Sequence, residues 1–418
     1  MICRHQRKGD DNMENNKRWL YLGVGTLLLV FCGLIYGWSL FRAPFGEVYP
    51  DWTLSQLSMT FTISMIFFCL GSFVSGQLSK KYPARVIIML AAICLLVGFF
   101  GVSRMNPAAG SLPMLYICYG VLGGSGVGLT YNAVIGTMNK WFPDKPGLCS
   151  GIMMMGFGLG ALVLGSIATS LIASVGIFKT FMILGIMIFV VLMAGSFVIK
   201  APEAPAGGGP KKELYGEGPA VMLKSASFWL FMLYCVVGSI AGLMIVNSAA
   251  SIAVAFGAPA IVGMIVSVFN GAGRAVMGSV YDNKNGKFSM LLDIIFMVAS
   301  GAALIAGAFT NSMVLILLGL LAMGLCYGGN PTICSAFINR YYGPKYFGQN
   351  FSIGLFNLVP AALLGPMISA RLIESSGGSY NTTFFAILVC AAIATVLWLA
   401  MIVVVKKENQ ARGEDRPF

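Results

Sequence analysis

The chain has 418 residues, of which 57% are hydrophobic and only 10% are charged, and its net charge is +12. A soluble domain carries about 25% charged residues, so this chain lacks the polar side chains needed to cover a water-facing surface. The composition therefore excludes soluble enzymes, disordered proteins and disulfide scaffolds, and it indicates an integral membrane protein.

Twelve apolar segments follow one another along the chain, each about long enough to cross the hydrocarbon core of a bilayer as a helix. We number them as spans one to twelve. Their predicted bounds are 19–41, 56–79, 86–103, 113–137, 148–173, 178–199, 228–254, 259–281, 288–308, 312–336, 347–371 and 380–405. The pattern predicts an all-α membrane protein with 12 transmembrane helices.

The placement of Lys and Arg predicts the orientation of these spans. If the N-terminus is cytoplasmic, 22 Lys and Arg residues fall on the cytoplasmic side, and four fall outside: Arg42, Arg104, Lys179 and Arg371. Cytoplasmic loops of membrane proteins carry this excess of positive charge. We therefore expect a multi-pass protein of the cell (cytoplasmic) membrane with both termini in the cytoplasm. Topology accounts for the net charge, so no nucleic-acid partner is expected.

Residues 200–227 are rich in Pro, Gly and charge, and they separate six spans from six spans. This composition is typical of a flexible linker. We therefore divide the chain into a cytoplasmic N-terminal tail (1–18), an N-terminal six-helix bundle (19–199), a cytoplasmic linker (200–227), a C-terminal six-helix bundle (228–405) and a cytoplasmic C-terminal tail (406–418). Translation from Met1 and translation from Met13 both remain open.

The two halves of the chain repeat each other at an offset of about 200 residues, which predicts two parallel six-helix repeats. The run from Asn139 to Lys145 follows span four, and the run from Asn339 to Lys345 follows span ten. A second pair of loops, 76–85 and 278–287, follows spans two and eight. Parallel repeats of this kind predict a substrate site near the middle of the bilayer between the halves, reached by alternating access.

The loops of the second pair resemble the G-x-x-x-D-R-x-G-R motif of the major facilitator superfamily. The better copy has Gly278 and Asp282, followed after one extra residue by Gly286 and Lys287; the other has Gly76 and Arg85, with Lys80 in place of the acid. The acid of this motif pairs with cations at helix ends and helps to hold one conformation. The resemblance implies that role for Asp282, together with a conformational role for Asp144 in the loop after span four.

A narrower resemblance links the chain to the oxalate:formate antiporter family of small-carboxylate carriers. It is carried by NKWFPDKPGLCSG at 139–151 and by NGAGRAVMGSVYD at the end of span eight. The N-[RK]-W-F-P-[DE] run is fairly specific to that family and to its monocarboxylate-carrying relatives.

Arg274 lies about seven residues, or roughly 10 Å, inside the end of span eight. A centrally placed Arg costs about 2.5–3.5 kcal/mol on insertion scales, so it is rare without a function. Its planar guanidinium can donate two parallel hydrogen bonds to a carboxylate. The structural alternative is that Arg274 reaches the headgroups or pairs with Asp282 or Asp293. The resemblance implies that Arg274 binds the carboxylate of the substrate.

The resemblance also bears on the charge of the substrate. The oxalate carrier has a second cation, a Lys in span eleven, where this chain has Leu358. A dianion would leave one charge unpaired in a low-dielectric cavity, at a cost of several kcal/mol. We therefore predict secondary active transport of monocarboxylates of the lactate, pyruvate or formate type. An oxalate/formate-type antiporter, an exporter of hydrophobic compounds and a non-transporting carboxylate sensor remain alternatives.

Further side chains are expected to line the substrate cavity. The resemblance places Tyr36, Tyr131 and Tyr327 at cavity aromatics of the family, although each Tyr taken singly also suits a packing role. Asn270, one turn before Arg274, can contact a 2-hydroxyl or orient the guanidinium. Leu355 and Phe356 are expected to line the same cavity.

The sequence predicts no enzyme activity, cofactor or metal site, because it contains no nucleophile–base pair, phosphate loop or metal-ligand spacing. The expected partners are a small carboxylate substrate, membrane lipid, and either a proton or a counter-anion. Asp293, about one turn into span nine, is expected to anchor the neighbouring loop. We expect the protein to be a monomer.

Overall fold

The computed structural model of the chain describes residues 2–106, 108–202, 215–246, 248–258, 261–414 and 416–418, with side chains throughout except at 2–16, 54 and 261–264. Every regular element in these ranges is a helix, which confirms the all-α prediction.

In the part of the chain that the structure describes, eight α-helices precede the linker. They are α1 (Ile2–Cys32), α2 (Trp38–Val48), α3 (Leu54–Leu78), α4 (Ala84–Ser103), α5 (Leu112–Leu115), α6 (Gly124–Met138), α7 (Pro146–Val175) and α8 (Ile177–Val198). A 3₁₀ turn, Gly33–Gly37, joins α1 to α2, and a π-helical segment, Tyr116–Gly123, joins α5 to α6. Helix α1 therefore extends into the segment that we predicted as a polar tail.

Nine α-helices follow in the described residues from 215 onward, and the first of them lies inside the predicted linker 200–227. They are α9 (Pro219–Met222), α10 (Ala226–Val246), α11 (Ala249–Ala255), α12 (Ile261–Asn283), α13 (Gly286–Thr310), α14 (Met313–Tyr342), α15 (Phe347–Gly354), α16 (Leu358–Ser375) and α17 (Asn381–Arg412). A 3₁₀ turn, Leu355–Asn357, joins α15 to α16. Residues 203–214 of the predicted linker lie outside the described residues.

Within the described residues, 11 helical runs are long and apolar enough to cross a membrane, and they match 11 of the predicted spans. The remaining predicted span, 259–281, corresponds to α12, and its first two residues lie outside the described ranges. The chain is therefore a multi-pass membrane protein, as the composition indicates.

Some predicted spans are interrupted helices. Span seven consists of α10 and the short α11, and span eleven breaks at the 3₁₀ turn Leu355–Asn357. The break in span eleven lies just before Pro360, which has no amide hydrogen and whose ring conflicts with the carbonyl group four residues earlier. Proline therefore interrupts span eleven, whereas α14 continues through its own internal Pro331.

The chain separates into two compact units. Unit 1 comprises Met1–Lys145 and Gly160–Glu213, and unit 2 comprises Pro146–Leu159 and Leu214–Phe418. The first half of α7 therefore belongs to unit 2, although it precedes the linker in the sequence.

Unit 1 has an aromatic core. The rings of Trp38, Phe41, Tyr119 and Phe181 pack against one another, with the centroids of Trp38 and Tyr119 4.6 Å apart. The indole nitrogen of Trp38 donates a 2.7 Å hydrogen bond to the carbonyl oxygen of Leu57 in α3. Buried indole groups usually find such a partner, so this bond fixes span one against span two.

In unit 2, the end of the linker is fastened to the end of the chain. The carboxylate of Glu217 accepts a 2.9 Å hydrogen bond from Arg416 and lies 3.6 Å from a guanidinium nitrogen of Arg412. Burial by itself lowers the pKa of Arg416, but hydrogen bonds to Glu217 and Glu414 outweigh it and raise that pKa above its ordinary value. These charge-assisted contacts hold the two segments together.

Candidate substrate site

Arg274 is buried in α12 of unit 2, with 4% of its surface exposed. Its Nη1 atom donates a 2.7 Å hydrogen bond to the main-chain carbonyl oxygen of Met154 in α7, and its Nε atom donates a 3.3 Å bond to the side-chain oxygen of Asn270. Both acceptors are neutral. The guanidinium is therefore oriented by hydrogen bonds, but these bonds do not neutralise its charge.

The acids considered as partners for Arg274 are engaged elsewhere. Asp282 binds Arg340, and Asp293 contacts Tyr234. Within the described residues, no acid forms an ion pair with Arg274, and its Nη2 atom makes no hydrogen bond. A buried cation without a counter-charge is costly, and an anion bound at Nη2 would supply one.

Glycines make room for Arg274 on the α7 side. A Cβ atom at Gly158 would lie 3.3 Å from Cζ of Arg274, and a Cβ atom at Gly151 would collide with the carbonyl oxygen of Arg274. Because these positions lack side chains, the first half of α7 packs closely on α12, as small residues allow in membrane helices. This approach brings the carbonyl group of Met154 within reach of the guanidinium.

Asn270 and Tyr327 lie on the helix pair α12–α14. Asn270 contacts Arg274 directly, as expected for a residue one turn away. A Cβ atom at Gly328 would collide with the carbonyl oxygen of Asn270, so α14 passes closely beside it. Tyr327 is 8% exposed, and its ring lies on Gly242 of α10. The structure thus places Asn270 against the guanidinium and Tyr327 against the neighbouring helix.

Leu355 and Phe356 belong to the 3₁₀ turn that interrupts span eleven. Leu355 is buried and Phe356 is half-buried. Leu358, where the resemblance places a Lys in the oxalate carrier, begins α16 and is half-buried. No lysine of the described residues takes its place within α15 or α16.

Tyr36 and Tyr131 belong to unit 1. Tyr36 lies in the 3₁₀ turn Gly33–Gly37 and is half-buried, with its ring centroid 6.4 Å from that of Phe61. Tyr131 is 2% exposed in α6 and meets Phe68 edge to face at 5.2 Å. Both rings therefore contact phenylalanines of α3. Their role in substrate binding stays a prediction.

Asp282 joins three elements of unit 2. Its carboxylate accepts hydrogen bonds from the amide nitrogens of Gly147 (3.1 Å) and Leu148 (2.7 Å) in the first turn of α7, and it pairs with Arg340 of α14 at 3.2 Å. Amide groups in the first turn of a helix lack partners within the helix and favour a negative charge. We call this contact the Asp282 clasp, consisting of Asp282, Arg340, Gly147 and Leu148.

The remaining motif residues have local roles. A Cβ atom at Gly278 would collide with the carbonyl oxygen of Gly147, and one at Gly286 would lie 2.8 Å from the hydroxyl of Tyr281. The ammonium of Lys287 lies 5.9 Å from the ring centroid of Phe418. In unit 1, Gly76 is buried in α3, Lys80 is exposed, Arg85 stacks on Phe197 at 4.0 Å, and Asp144 pairs with Arg18 at 3.3 Å.

The expectation for Asp293 was wrong. Its side chain does not anchor the loop, because it is fully buried between helices. Oδ2 lies 3.0 Å from the hydroxyl of Tyr234 in α10. Asp293 therefore links α13 to α10 inside unit 2.

Several residues of the site were not predicted from the sequence. Met154 contributes only a main-chain atom, which no side-chain pattern reveals. A signal did exist for Gly147, Gly151 and Gly158, whose spacings of four and seven place them on one face of a helix. That stripe predicts close approach to another helix, but not which helix it meets.

These helices define a multi-pass, helical-bundle membrane protein with an uncompensated cation in its second unit. The Major Facilitator Superfamily model matches residues 27–360. The chain therefore belongs to this superfamily of transporters, as its loop motifs suggested, and it is not an enzyme.

Similar proteins agree on the family and the fold. The chain is 26% identical over 391 residues to the oxalate:formate antiporter of Oxalobacter formigenes, covering 91% of this chain and 90% of that one. It is 24% identical over 350 residues to Monocarboxylate transporter 10 of Mus musculus, covering 78% of this chain and 65% of that one. Among solved structures, the E. coli fucose:proton symporter FucP superimposes with a TM-score of 0.69 at 11% identity, covering 92% of this chain and 99% of that one.

Proposed function

We propose that this protein is a secondary active transporter of small monocarboxylates, of the lactate, pyruvate or formate type, working by alternating access. The observation that carries the proposal is Arg274. It is a buried guanidinium whose hydrogen bonds within the described residues go to neutral oxygens, and its Nη2 atom makes none there. Such a group suits one carboxylate, to which it can donate charge-assisted hydrogen bonds.

The names of the relatives support this substrate class. One is an oxalate:formate antiporter and another is a monocarboxylate transporter. At 26% and 24% identity, these relatives support the chemistry of a small organic anion. The particular anion follows instead from the charges of this chain.

The charge balance favours a monoanion. Among the Lys and Arg residues of the described spans in unit 2, Arg274 is the buried one, and Leu358 is apolar. One guanidinium offsets one carboxylate, whereas the second charge of oxalate would stay unpaired at a cost of several kcal/mol. Oxalate exchange is therefore the second candidate and lactate, pyruvate or formate the first.

The proposal includes the setting of the protein. We propose a monomer in the cell membrane with both termini in the cytoplasm. The orientation follows from Lys and Arg, which are concentrated on the cytoplasmic side of the predicted spans. A tag that reacts with an impermeant reagent only after cells are opened tests this orientation.

The test is counterflow in proteoliposomes loaded with unlabelled lactate. Labelled lactate, pyruvate, formate and oxalate are added outside, and wild type is compared with Arg274→Gln. Arg371→Gln is the matched control, because Arg371 is an exposed residue of α16. We expect wild type and the control to accumulate a monocarboxylate, and Arg274→Gln to lose this accumulation by at least tenfold.

Other outcomes identify the alternatives. Exchange that survives Arg274→Gln unchanged contradicts the role of Arg274. Oxalate exchange at the level of lactate exchange favours the oxalate/formate-type antiporter. Binding of a carboxylate without counterflow in the wild type indicates the sensor. Export of hydrophobic compounds without any anion exchange indicates the exporter.

A further inference from the structure

Asp293 is a second buried charge-bearing residue of unit 2, and the proposed anion site does not use it. It lies in α13 with 0% of its surface exposed. Within the described residues it forms no ion pair with Lys or Arg. An ionised carboxylate in such a place is costly, and ionisable groups inside membrane helices commonly mark ion or proton pathways.

The neighbours of Asp293 are uncharged. Tyr234 and Cys235 face it from α10, and Cys326 faces it from α14. α17 also packs on α13: Ile387 and Leu388 lie at Gly301, and the indole nitrogen of Trp398 donates a 3.0 Å hydrogen bond to the carbonyl oxygen of Lys287.

The charged groups of the surrounding helices are bound elsewhere. Arg274 of α12 is bound to Met154 and Asn270, and Asp282 is bound in the Asp282 clasp. Glu408 of α17 accepts hydrogen bonds from Ser227 and Tyr341. Within the described residues, no Lys or Arg therefore forms a direct ion pair with Asp293.

The hydrogen bonds around Tyr234 favour a protonated carboxyl group. The single hydroxyl of Tyr234 lies 3.0 Å from Oδ2 of Asp293 and 3.1 Å from the carbonyl oxygen of Met290. If Asp293 is ionised, one phenol proton must serve two acceptors. If Asp293 carries a proton on Oδ2, it donates to the oxygen of Tyr234, and Tyr234 donates to Met290. The second arrangement supplies a separate proton to each of these two hydrogen bonds.

A metal cation fits this place less well than a proton does. Cys235 and Cys326 surround the carboxyl group, whereas hard cations prefer several oxygen ligands. A Cβ atom at Gly238 would collide with the side-chain amide of Asn330, and one at Gly329 would lie 2.5 Å from Cγ of Met277. The surroundings are thus tightly packed. A proton needs neither extra ligands nor extra space.

One short segment of α14 lies beside Asp293 and beside Asn270, the partner of Arg274. A Cβ atom at Gly328 would meet the backbone of Asn270, the partner of Arg274, and a Cβ atom at Gly329 would lie 3.4 Å from Oδ1 of Asp293. Pro331, which follows directly, removes one main-chain hydrogen bond of the helix at this point. A shift of this segment therefore changes the surroundings of Asn270 and Asp293 together.

We propose that Asp293 is a proton-binding site and that the protein carries one proton together with each anion. The argument is the net charge of the buried groups. With both sites empty, Arg274 is positive and Asp293 negative; with both filled, the anion offsets Arg274 and the proton neutralises Asp293. Both states are neutral, whereas filling one site alone leaves a net charge in a low-dielectric interior. The carboxylate takes up the proton from one side of the membrane and releases it to the other.

The inference rests on the proposed anion transport for its functional test, so the experiment separates the two. Proteoliposomes with a one-unit pH difference, acid outside, receive labelled lactate, and counterflow is measured in parallel without a pH difference. One proton per anion predicts about tenfold accumulation in the wild type. Asp293→Asn, which imitates the neutral acid, should keep counterflow and lose the pH-driven accumulation. Asp293→Glu should restore part of that accumulation.

Two controls accompany these variants. Glu374→Gln changes an exposed carboxylate of α16 and should keep both activities. Arg274→Gln should lose both activities. If this variant keeps counterflow, the proposed anion site is wrong, but the role of Asp293 is not affected. Equal pH-driven accumulation in wild type and Asp293→Asn overturns the proton site.

A direct measurement does not depend on transport. Infrared spectroscopy of the purified wild type should show the carbonyl band of a protonated carboxyl group, which deprotonates as the pH rises and is missing in Asp293→Asn. If this band is identical in both proteins, Asp293 does not hold the proton.

Discussion

Arg274 and Met154 are 120 positions apart in the sequence, yet Nη1 of Arg274 donates a 2.7 Å hydrogen bond to the main-chain carbonyl oxygen of Met154. The bond fixes one edge of the guanidinium against α7. Together with the bond to Asn270, it positions the cation without neutralising it. The anion site that we propose is therefore a preoriented cation whose Nη2 atom stays available.

A lysine in place of Arg274 should not substitute for it. Arg274→Lys keeps the charge but loses the planar fork that binds Met154, Asn270 and a carboxylate at the same time. We expect the concentration for half-maximal counterflow to rise at least tenfold, equivalent to about 1.4 kcal/mol. Titration of lactate in the counterflow assay measures this. An unchanged half-maximal concentration shows that charge alone suffices.

A methyl group at Gly158 should displace the guanidinium. The added Cβ atom would lie 3.3 Å from Cζ of Arg274, whereas at Gly271 of α12 the nearest atoms are flexible side-chain ends at 3.5 Å. Gly158→Ala should therefore weaken anion exchange several-fold, and Gly271→Ala should leave it near the wild-type level. The two variants are compared by counterflow and by their unfolding temperatures in detergent. If the two variants show equal counterflow, Gly158 is not part of the anion site.

A second cation in span eleven should admit a dianion. Leu358→Lys introduces an amine at the first residue of α16, the position at which the oxalate carrier has its Lys. The added charge offsets the second carboxylate of oxalate, whose burial otherwise costs several kcal/mol. We expect the ratio of oxalate to lactate exchange to rise over wild type, and Leu358→Met serves as the uncharged control. If the ratio stays unchanged, Leu358 does not belong to the substrate site.

Loss of the Asp282 clasp should destabilise unit 2. Asp282→Asn removes the negative charge that pairs with Arg340 and faces the first-turn amides of α7. Weakening these buried charge-assisted bonds costs about 1–3 kcal/mol. The unfolding temperature in detergent should fall clearly. Asp144→Asn, which weakens a partly exposed pair with Arg18, should change it little. If the two variants lower the unfolding temperature equally, the Asp282 clasp does not stabilise unit 2 in the way proposed.

The sequence predicted most of the fold because hydrophobic length is a local property. Span 148–173 corresponds to α7 (Pro146–Val175), and span 288–308 corresponds to α13 (Gly286–Thr310). The break between α10 and α11 was not predicted, because both helices are apolar and the hydropathy pattern continues across them.

Part of the site could also be predicted. A charged residue within an apolar span is visible in any sequence, so Arg274 was found, and its neighbour Asn270 followed from helical spacing. Met154 was not found, because its contribution is a carbonyl group that every residue possesses. Asp293 was visible as an acid, but its surroundings depend on Tyr234, which is 59 positions away.

By itself, the sequence determined that this chain crosses a membrane as helices, repeats after about 200 residues and carries one cation deep within a span. Those properties depend on composition and spacing along a single helix. Only the tertiary structure decided that 146–159 packs with the second unit, that Asp282 binds the start of α7, and that Asn270 and Asp293 lie near one segment of α14. These relationships depend on which glycine-lined faces meet in space, and close packing between distant helices sets that choice.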